Sequence, residues 1–271
     1  ALPILKTNNA DGFLFNLAPF IIMVGSFLAM GAIPFAFGLQ ALDLDIGIVY
    51  VMAVSSLGVI GILLAGWASN NKYSLFGAIR ASSQMISYEL AMGLSIISVI
   101  LITGTLSLRG IAEGQAGTWL GFIPRWNIFL QPIAFVVYVM SGIAETNRLP
   151  FDLAESEQEL VAGWHTEYSG MKFAMFFLAE YANMVTVSAL ATIMFLGGWN
   201  GPMFGPQWLQ DFVLPTVWFV TKIGAFLLFY MLIRATIPRF RYDQLMHFGW
   251  KVLLPLALAN IVVTSFFVAI L

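Results

Sequence analysis

The sequence predicts an all-α protein, a polytopic bundle of helices lying in a membrane. Three observations lead there. Hydrophobic residues make up 60% of the 271-residue chain and charged residues only 10%, where a soluble domain has about 25% charged. The apolar residues come in runs of about twenty, the length that crosses a bilayer core. The runs show no period-2 alternation, which argues against a barrel. The same composition excludes a soluble enzyme, a nucleic-acid binder and a disordered chain.

Seven spans follow in order, at residues 15–39, 46–67, 82–106, 130–146, 173–196, 214–234 and 252–271. The first, second and last carry no charge. The third contains Glu89, the fourth ends near Glu145, the fifth contains Glu180 and the sixth contains Lys222. The fourth is short unless Ile128 and Phe129 join it, and Pro150 stops it at the other end. No internal repeat divides the spans, so a single transmembrane domain is expected, with loops at 68–81, 147–172 and 235–251 on one face.

Basic residues orient the bundle. Lys6, Lys72, Arg80, Arg148, Lys172, Arg234, Arg239, Arg241 and Lys251 gather on one side. Only Arg109 and Arg125 lie on the other, a split of nine against two. The first side is therefore cytoplasmic, or the matrix side of a mitochondrion, and its long charged loops are where a partner would dock. The opposite loop, 197–211, has no Lys or Arg, and its Trp199 and Trp208 suit an interfacial belt.

A charge at the bilayer centre costs from about 3 to over 10 kcal/mol, so such residues are usually kept for a pathway or a paired site. Topology puts Glu89, Glu145 and Glu180, from three different spans, in the inner half and Lys222 deeper. They read either as a polar path from the inner face or as acids that pair with Lys222 or a loop arginine and fix packing. The segment 145–181 is richest in acids, with Glu145, Asp152, Glu155, Glu157, Glu159, Glu167 and Glu180 against Arg148 and Lys172. Asp152 and Glu155 have capping-box spacing, so a short inner-face helix is expected. On it Glu155 and Glu159 share a face and Glu157 points nearly opposite. None of these acids has the histidine neighbours of a metal site, and no metal is expected. With zero cysteines, thiolate metal sites and Cys-ligated clusters are excluded. The two histidines, His165 and His247, fall in separate loops and cannot ligate a haem within the membrane. No Gly-rich phosphate or dinucleotide fingerprint occurs. Any redox chemistry must be carried by something else.

Here the chain closely resembles a known family. The motifs are Ser83-Gln-Met-Ile-Ser-Tyr88-Glu89, Ala144-Glu-Thr-Asn-Arg-Leu-Pro-Phe-Asp-Leu153, Glu159-Leu-Val-Ala-Gly163, Glu167-Tyr-Ser-Gly170 and Ala179-Glu-Tyr181. Further on come Gly197-Gly-Trp199, the run from Arg234 to Leu245, and Gly249-Trp-Lys251. Their order and topology are similar to the quinone-chamber membrane subunit of respiratory complex I, which is the H subunit in bacteria and NADH dehydrogenase subunit 1 in mitochondria. The resemblance implies a proton-translocating NADH:quinone oxidoreductase of the bacterial inner membrane. Quinone is then the substrate, while FMN and iron–sulfur clusters reside in partner subunits. The expected partners are soluble-arm subunits, small membrane subunits and antiporter-like subunits.

By the same resemblance Arg80, Arg148, Asp152, Glu155, Glu157, Glu159 and Glu167 fall in or beside the quinone chamber. Glu89, Glu145 and Glu180 match acids that pass charge or protons onward, and Arg239, Arg241 and Asp243 sit in a subunit-contact loop. Tyr88 and Tyr181 stand as quinone contacts or as packing. The family has eight spans and a Gly-Pro-Asn-Arg loop after the first; neither that span nor that loop is in this sequence, so a fragment or truncation is expected. Two other readings stay open: the membrane anchor of a related energy-converting hydrogenase, and a stand-alone proton or sodium transporter.

Overall fold

The structure is a computed structural model, and it describes residues 10–36, 38–119, 123–147, 151, 163–202, 206–207, 210, 213–238 and 240–270. Helix α1 (Gly12–Gly31) starts where the Asp11 carboxylate accepts from the Phe13 amide at 3.1 Å. It ends eight residues short of the predicted span, because the chain turns at Ala32 ahead of Pro34. The second span is two helices, α2 (Gly47–Ser55) and α3 (Leu57–Ala68). They break at a Ser-Ser pair whose hydroxyls donate back to Met52 O and Ala53 O at 2.9 and 2.8 Å, a local bond that bends a helix. Glycines let α3 pack closely. A Cβ on Gly61 would lie 2.2 Å from Ile22 of α1, and one on Gly66 would lie 2.3 Å from Ala78 of the next helix.

Helix α4 (Lys72–Thr103) is the pillar of the bundle. Asn71 caps it, accepting from the Tyr73 amide at 3.0 Å, and Gly104 in the left-handed conformation ends it. Its 32 residues measure about 48 Å at 1.5 Å per residue, well beyond a core about 30 Å thick. The expected inner loop 68–81 is therefore mostly helix, and only residues 69–71 connect α3 to α4. The overhanging turns dock a 3₁₀ turn, Gly163–His165, with the Ser74 hydroxyl donating to Trp164 O at 2.8 Å. Gly77 sits against the backbone of Gly163 and Trp164, where a Cβ would meet atoms 2.7–2.8 Å away.

The outer connection holds α5 (Leu108–Gly114), a two-residue antiparallel pair, β1 (Thr118–Trp119) with β2 (Ile123–Pro124), and a single turn, α6 (Asn127–Leu130). Arg109 reaches Glu113 at 2.7 Å and Asp43 at 3.6 Å, so the loops after α1 and α4 lie on one side of the bundle. The fourth span is the short helix α7 (Pro132–Glu145), with α6 carrying Ile128 and Phe129 just before it.

Then come α8 (Gly170–Phe195), α9 (Leu214–Thr236), α10 (Tyr242–Phe248), a π-helical turn at Gly249–Leu253 and α11 (Leu254–Ile270). Two apolar clusters form the core. The larger joins α4, α7, α8 and α9 around Tyr88, Tyr138 and Phe195, and the smaller joins α1, α3 and the start of α4 around Phe15, Trp164 and Phe176. Outward faces remain apolar, with Val262, Phe266 and Ile270 of α11 all more than 60% exposed, as a lipid-facing helix requires.

Candidate functional site

Glu145 is the last residue of α7, and the shortness of that helix leaves its carboxylate inside the bundle. Among the described residues its buried Oε2 has no hydrogen-bond partner, nor has the Ser141 hydroxyl one turn earlier on α7. The carboxylate lines a cavity of about 40 Å³ together with Thr146, Asn147, Glu180 and Asn183, closed by Ile22, Ile62, Met85, Trp164 and Phe176. The cavity lies at the seam between the two core clusters, with room for water, which needs about 10–15 Å³. Glu180 and Asn183 reach it because they are three residues apart on α8 and share a face. Glu89 shares a face of α4 with Met85, four residues earlier, and lies within electrostatic reach of Glu145. The structure thus brings Glu145 and Glu180 to one cavity and sets Glu89 nearby.

Glu89 is the eighteenth residue of α4, because the helix starts at Lys72, ten residues before the predicted span at 82. Tyr138 and Tyr230 are also within electrostatic reach of Glu145. The Tyr138 hydroxyl donates to Val187 O at 3.0 Å, and Tyr230 shares a hydrogen bond with Ser188.

The remaining predicted residues sit elsewhere. Glu167 accepts from Asn71 Nδ2 at 2.7 Å, tying the 163–168 turn to the start of α4. The Arg80 guanidinium lies 5.7 Å from the centre of the Tyr242 ring, linking α4 to α10. Arg241 is the N-cap residue of α10, and both it and Asp243 are exposed. Lys222 is remote from the acids, at the outer end of α8. Its ammonium donates to Leu196 O at 2.6 Å, Gly198 O at 2.9 Å and Asn200 O at 2.7 Å, and lies over Trp126 at 4.8 Å. All three of its protons are committed to carbonyls, so pairing with a buried glutamate is not its arrangement here. Arg148, Asp152, Glu155, Glu157, Glu159 and Arg239 lie outside the described residues, as does the helix expected after Pro150.

Three other residues are buried in the structure. Trp199, expected in an interfacial belt, is 5% exposed and packed into the core; Trp208 lies outside the described residues. Tyr88 is fully buried and its hydroxyl donates to Leu245 O at 2.9 Å, a packing bond between α4 and α10. His165 is buried among Trp164, Phe173 and Phe177, which pushes its imidazole down to about 4 and keeps it neutral.

Sequence reasoning missed Gln84. Buried on α4, its amide donates to Ala144 O at 2.9 Å, Phe151 O at 2.9 Å and Asn147 Oδ1 at 3.3 Å. That one side chain fixes both the end of α7 beside Glu145 and the chain leaving it. The signal was a glutamine within an apolar run, inside the Ser83–Glu89 motif and without an assigned role.

Fold and site define a class: a polytopic helical membrane protein with carboxylates from three helices grouped in its bundle. Comparison with known proteins then makes it specific. A family model described as NADH dehydrogenase matches residues 4–265. The second H subunit of the NADH-quinone oxidoreductase of Koribacter versatilis is 52% identical over 281 residues, covering 95% of this chain and 78% of its own length. The H subunit of the Rickettsia felis NADH-quinone oxidoreductase is 54% identical over 264 residues, covering 97% and 75%. Its counterpart in Protochlamydia amoebophila is 50% identical over 268 residues, covering 96% and 78%. The chain belongs to the NADH dehydrogenase family.

Proposed function

We propose that this chain is the subunit of a bacterial proton-translocating NADH:quinone oxidoreductase that forms the membrane side of the quinone chamber and couples quinone reduction to proton movement. The observation that carries the reading is the gathering of Glu145, Glu180 and Glu89 from three helices beneath the inner-face loops. A cavity of about 40 Å³ is far below the 300–1,000 Å³ of ordinary ligand pockets, so the acid cluster is a place for protons and water and not for a quinone ring. The headgroup is accordingly assigned to the chamber segment carrying Arg148, Asp152, Glu155, Glu157 and Glu159, with Arg80 and Glu167 beside it. Electrons come from a cluster in a soluble-arm partner, consistent with a chain that has no cysteine.

Reducing a quinone to a quinol takes up two electrons and two protons, so charge appears in the chamber before the protons arrive. At an effective dielectric constant of about 20, unit charges about 6 Å apart interact by about 3 kcal/mol. That is enough to draw a proton from one carboxylate toward the next. Gln84 holds Glu145 at the junction between the chamber segment and the bundle. Lys222 enters this reading only as a fixed positive charge beyond the acids. Arg239, Arg241 and Asp243 serve contact with a neighbouring subunit. The test is Glu145→Gln and Glu180→Gln in the assembled complex, assayed for quinone reduction and for proton uptake into vesicles. Loss of coupled proton movement in both is expected; wild-type coupling in both would remove the cluster from the mechanism.

A further inference from the structure

Glu145 borders the acid cavity, and one turn back along α7 it also borders a group of buried hydroxyls. Ser141 precedes it by four residues, so the two side chains share a face of the helix, and Ser141 is fully buried. The Tyr230 hydroxyl reaches α7 from α9 beside Gly142, at 3.5 Å from the position a Cβ would take there. Gly142 is also where α7 meets α8, since the same Cβ would stand 2.7 Å from Val187 Cγ1. Ser188, next in the chain, is hydrogen-bonded to Tyr230. Helix side chains lean toward the N-terminus, which sets the Glu145 side chain over the turn that holds Ser141 and Gly142. Tyr230 is within electrostatic reach of it.

The hydroxyl protons are not equally committed. Tyr138 is fixed, donating to Val187 O at 3.0 Å. Ser188 donates to Met184 O at 2.7 Å, so in its bond with Tyr230 the serine accepts and the tyrosine donates. Among the described residues, Ser141 Oγ and Glu145 Oε2 are both buried and both without a partner. The titratable groups that face Glu145 are Glu180 from α8, Glu89 from α4, Tyr138 from its own helix and Tyr230 from α9. From α1 and α3 come Ile22, Gly58 and Ile62. None of these is a cation, and Lys222 is held by carbonyls at the far end of α8. A buried carboxylate in such company keeps a charge only where hydrogen-bond donors turn toward it.

We propose that Ser141 and Tyr230 are positioning residues that receive the ionised form of Glu145. When the carboxyl gives up its proton, the Ser141 hydroxyl turns to Oε2, and the Tyr230 hydroxyl leaves Ser188 to donate to the same carboxylate. The released proton passes into the cavity toward Glu180, and both hydroxyls keep their own. This deepens the proposed function, but its readout is the protonation of Glu145 itself and not coupling. The assembled complex in lipid is titrated by infrared spectroscopy, and the carboxyl C=O band of Glu145 is the one that Glu145→Gln removes. A hydrogen bond to a charged group is worth about tenfold in ionisation, so Tyr230→Phe and Ser141→Ala should each carry the band about one pH unit higher. Ser188→Ala should carry it lower, because Tyr230 then has no bond to leave. Packing alone does not give shifts of opposite sign. If Tyr230→Phe does not assemble, the two serine variants decide. An unmoved band in any of the three, an upward shift in Ser188→Ala, or no band that Glu145→Gln removes overturns the proposal. Wild-type coupling in Glu145→Gln with these shifts present overturns the proton path and upholds the hydroxyl site.

Discussion

Removing the Lys222 ammonium separates two roles for that residue. The structure gives it three carbonyl partners at 2.6–2.9 Å at the end of α8, where a helix leaves carbonyls unsatisfied and carries negative partial charge. Hydrogen bonds to a charged group contribute about 1.5–3 kcal/mol each. Three would sum to about 5–9 kcal/mol, but the half-buried ammonium also costs desolvation that Lys222→Met relieves, leaving a net loss of about 2–4 kcal/mol. For a chain of this size each kcal/mol lowers a melting temperature by about 2–4 °C, so a drop of about 4–16 °C follows. The assay is thermal unfolding of the purified complex, read beside its assembly level and proton translocation. Lys222→Arg should recover only part of the loss, because a planar fork does not match a tripod of carbonyls. Unchanged melting and assembly with translocation lost would refute the anchoring argument and make Lys222 a working member of the charge path.

Three more outcomes follow from the same geometry. Gln84→Leu should leave the complex assembled but slow quinone reduction, since the amide orients both the α7 end and Phe151; unchanged turnover would show that Glu145 is held by something else. Asn260 donates to Ser98 Oγ at 3.0 Å and Gln131 Oε1 at 2.8 Å, so Asn260→Leu should cost about 0.6–2 kcal/mol, seen as earlier thermal release of α11 by proteolysis. His165 has its imidazole held down at about 4, against about 6.5 when unfolded. Its stability contribution is therefore complete above pH 6.5 and is lost as pH falls toward 4, by about 3 kcal/mol in all. Trp164 fluorescence should report this loosening, and His165→Phe should flatten the dependence.

How much was legible in the sequence depended on the type of signal. Long apolar runs announced the bundle, because apolar length follows from the cost of moving charge into lipid. Helix ends were less visible. Residues 72–81 are too polar for a hydropathy reading to include, yet α4 begins at Lys72 because Asn71 caps it and Trp164 packs on it. Trp199 read as an interfacial residue from its place in a loop without Lys or Arg. In the fold, Gly197 and Gly198 take φ of 70° and 57° and turn that loop back over α8, burying the ring. Topology put three acids in the inner half, but only helix rotation decides that Glu145 and Glu180 share a cavity. The partners of Lys222 had no signal at all, since backbone carbonyls are identical at every residue.

The brevity of α7 has an electrical meaning as well. Its 14 residues measure about 21 Å, against a hydrocarbon layer about 30 Å thick. Where this helix alone separates the two aqueous phases, the membrane voltage falls over about two-thirds of its usual distance, and the field is about half as strong again. One elementary charge crossing 100 mV gains about 2.3 kcal/mol, and here that work is done over a shorter path ending at a carboxylate. On the proposed function, protonation at Glu145 would then answer to membrane voltage as well as to its neighbours.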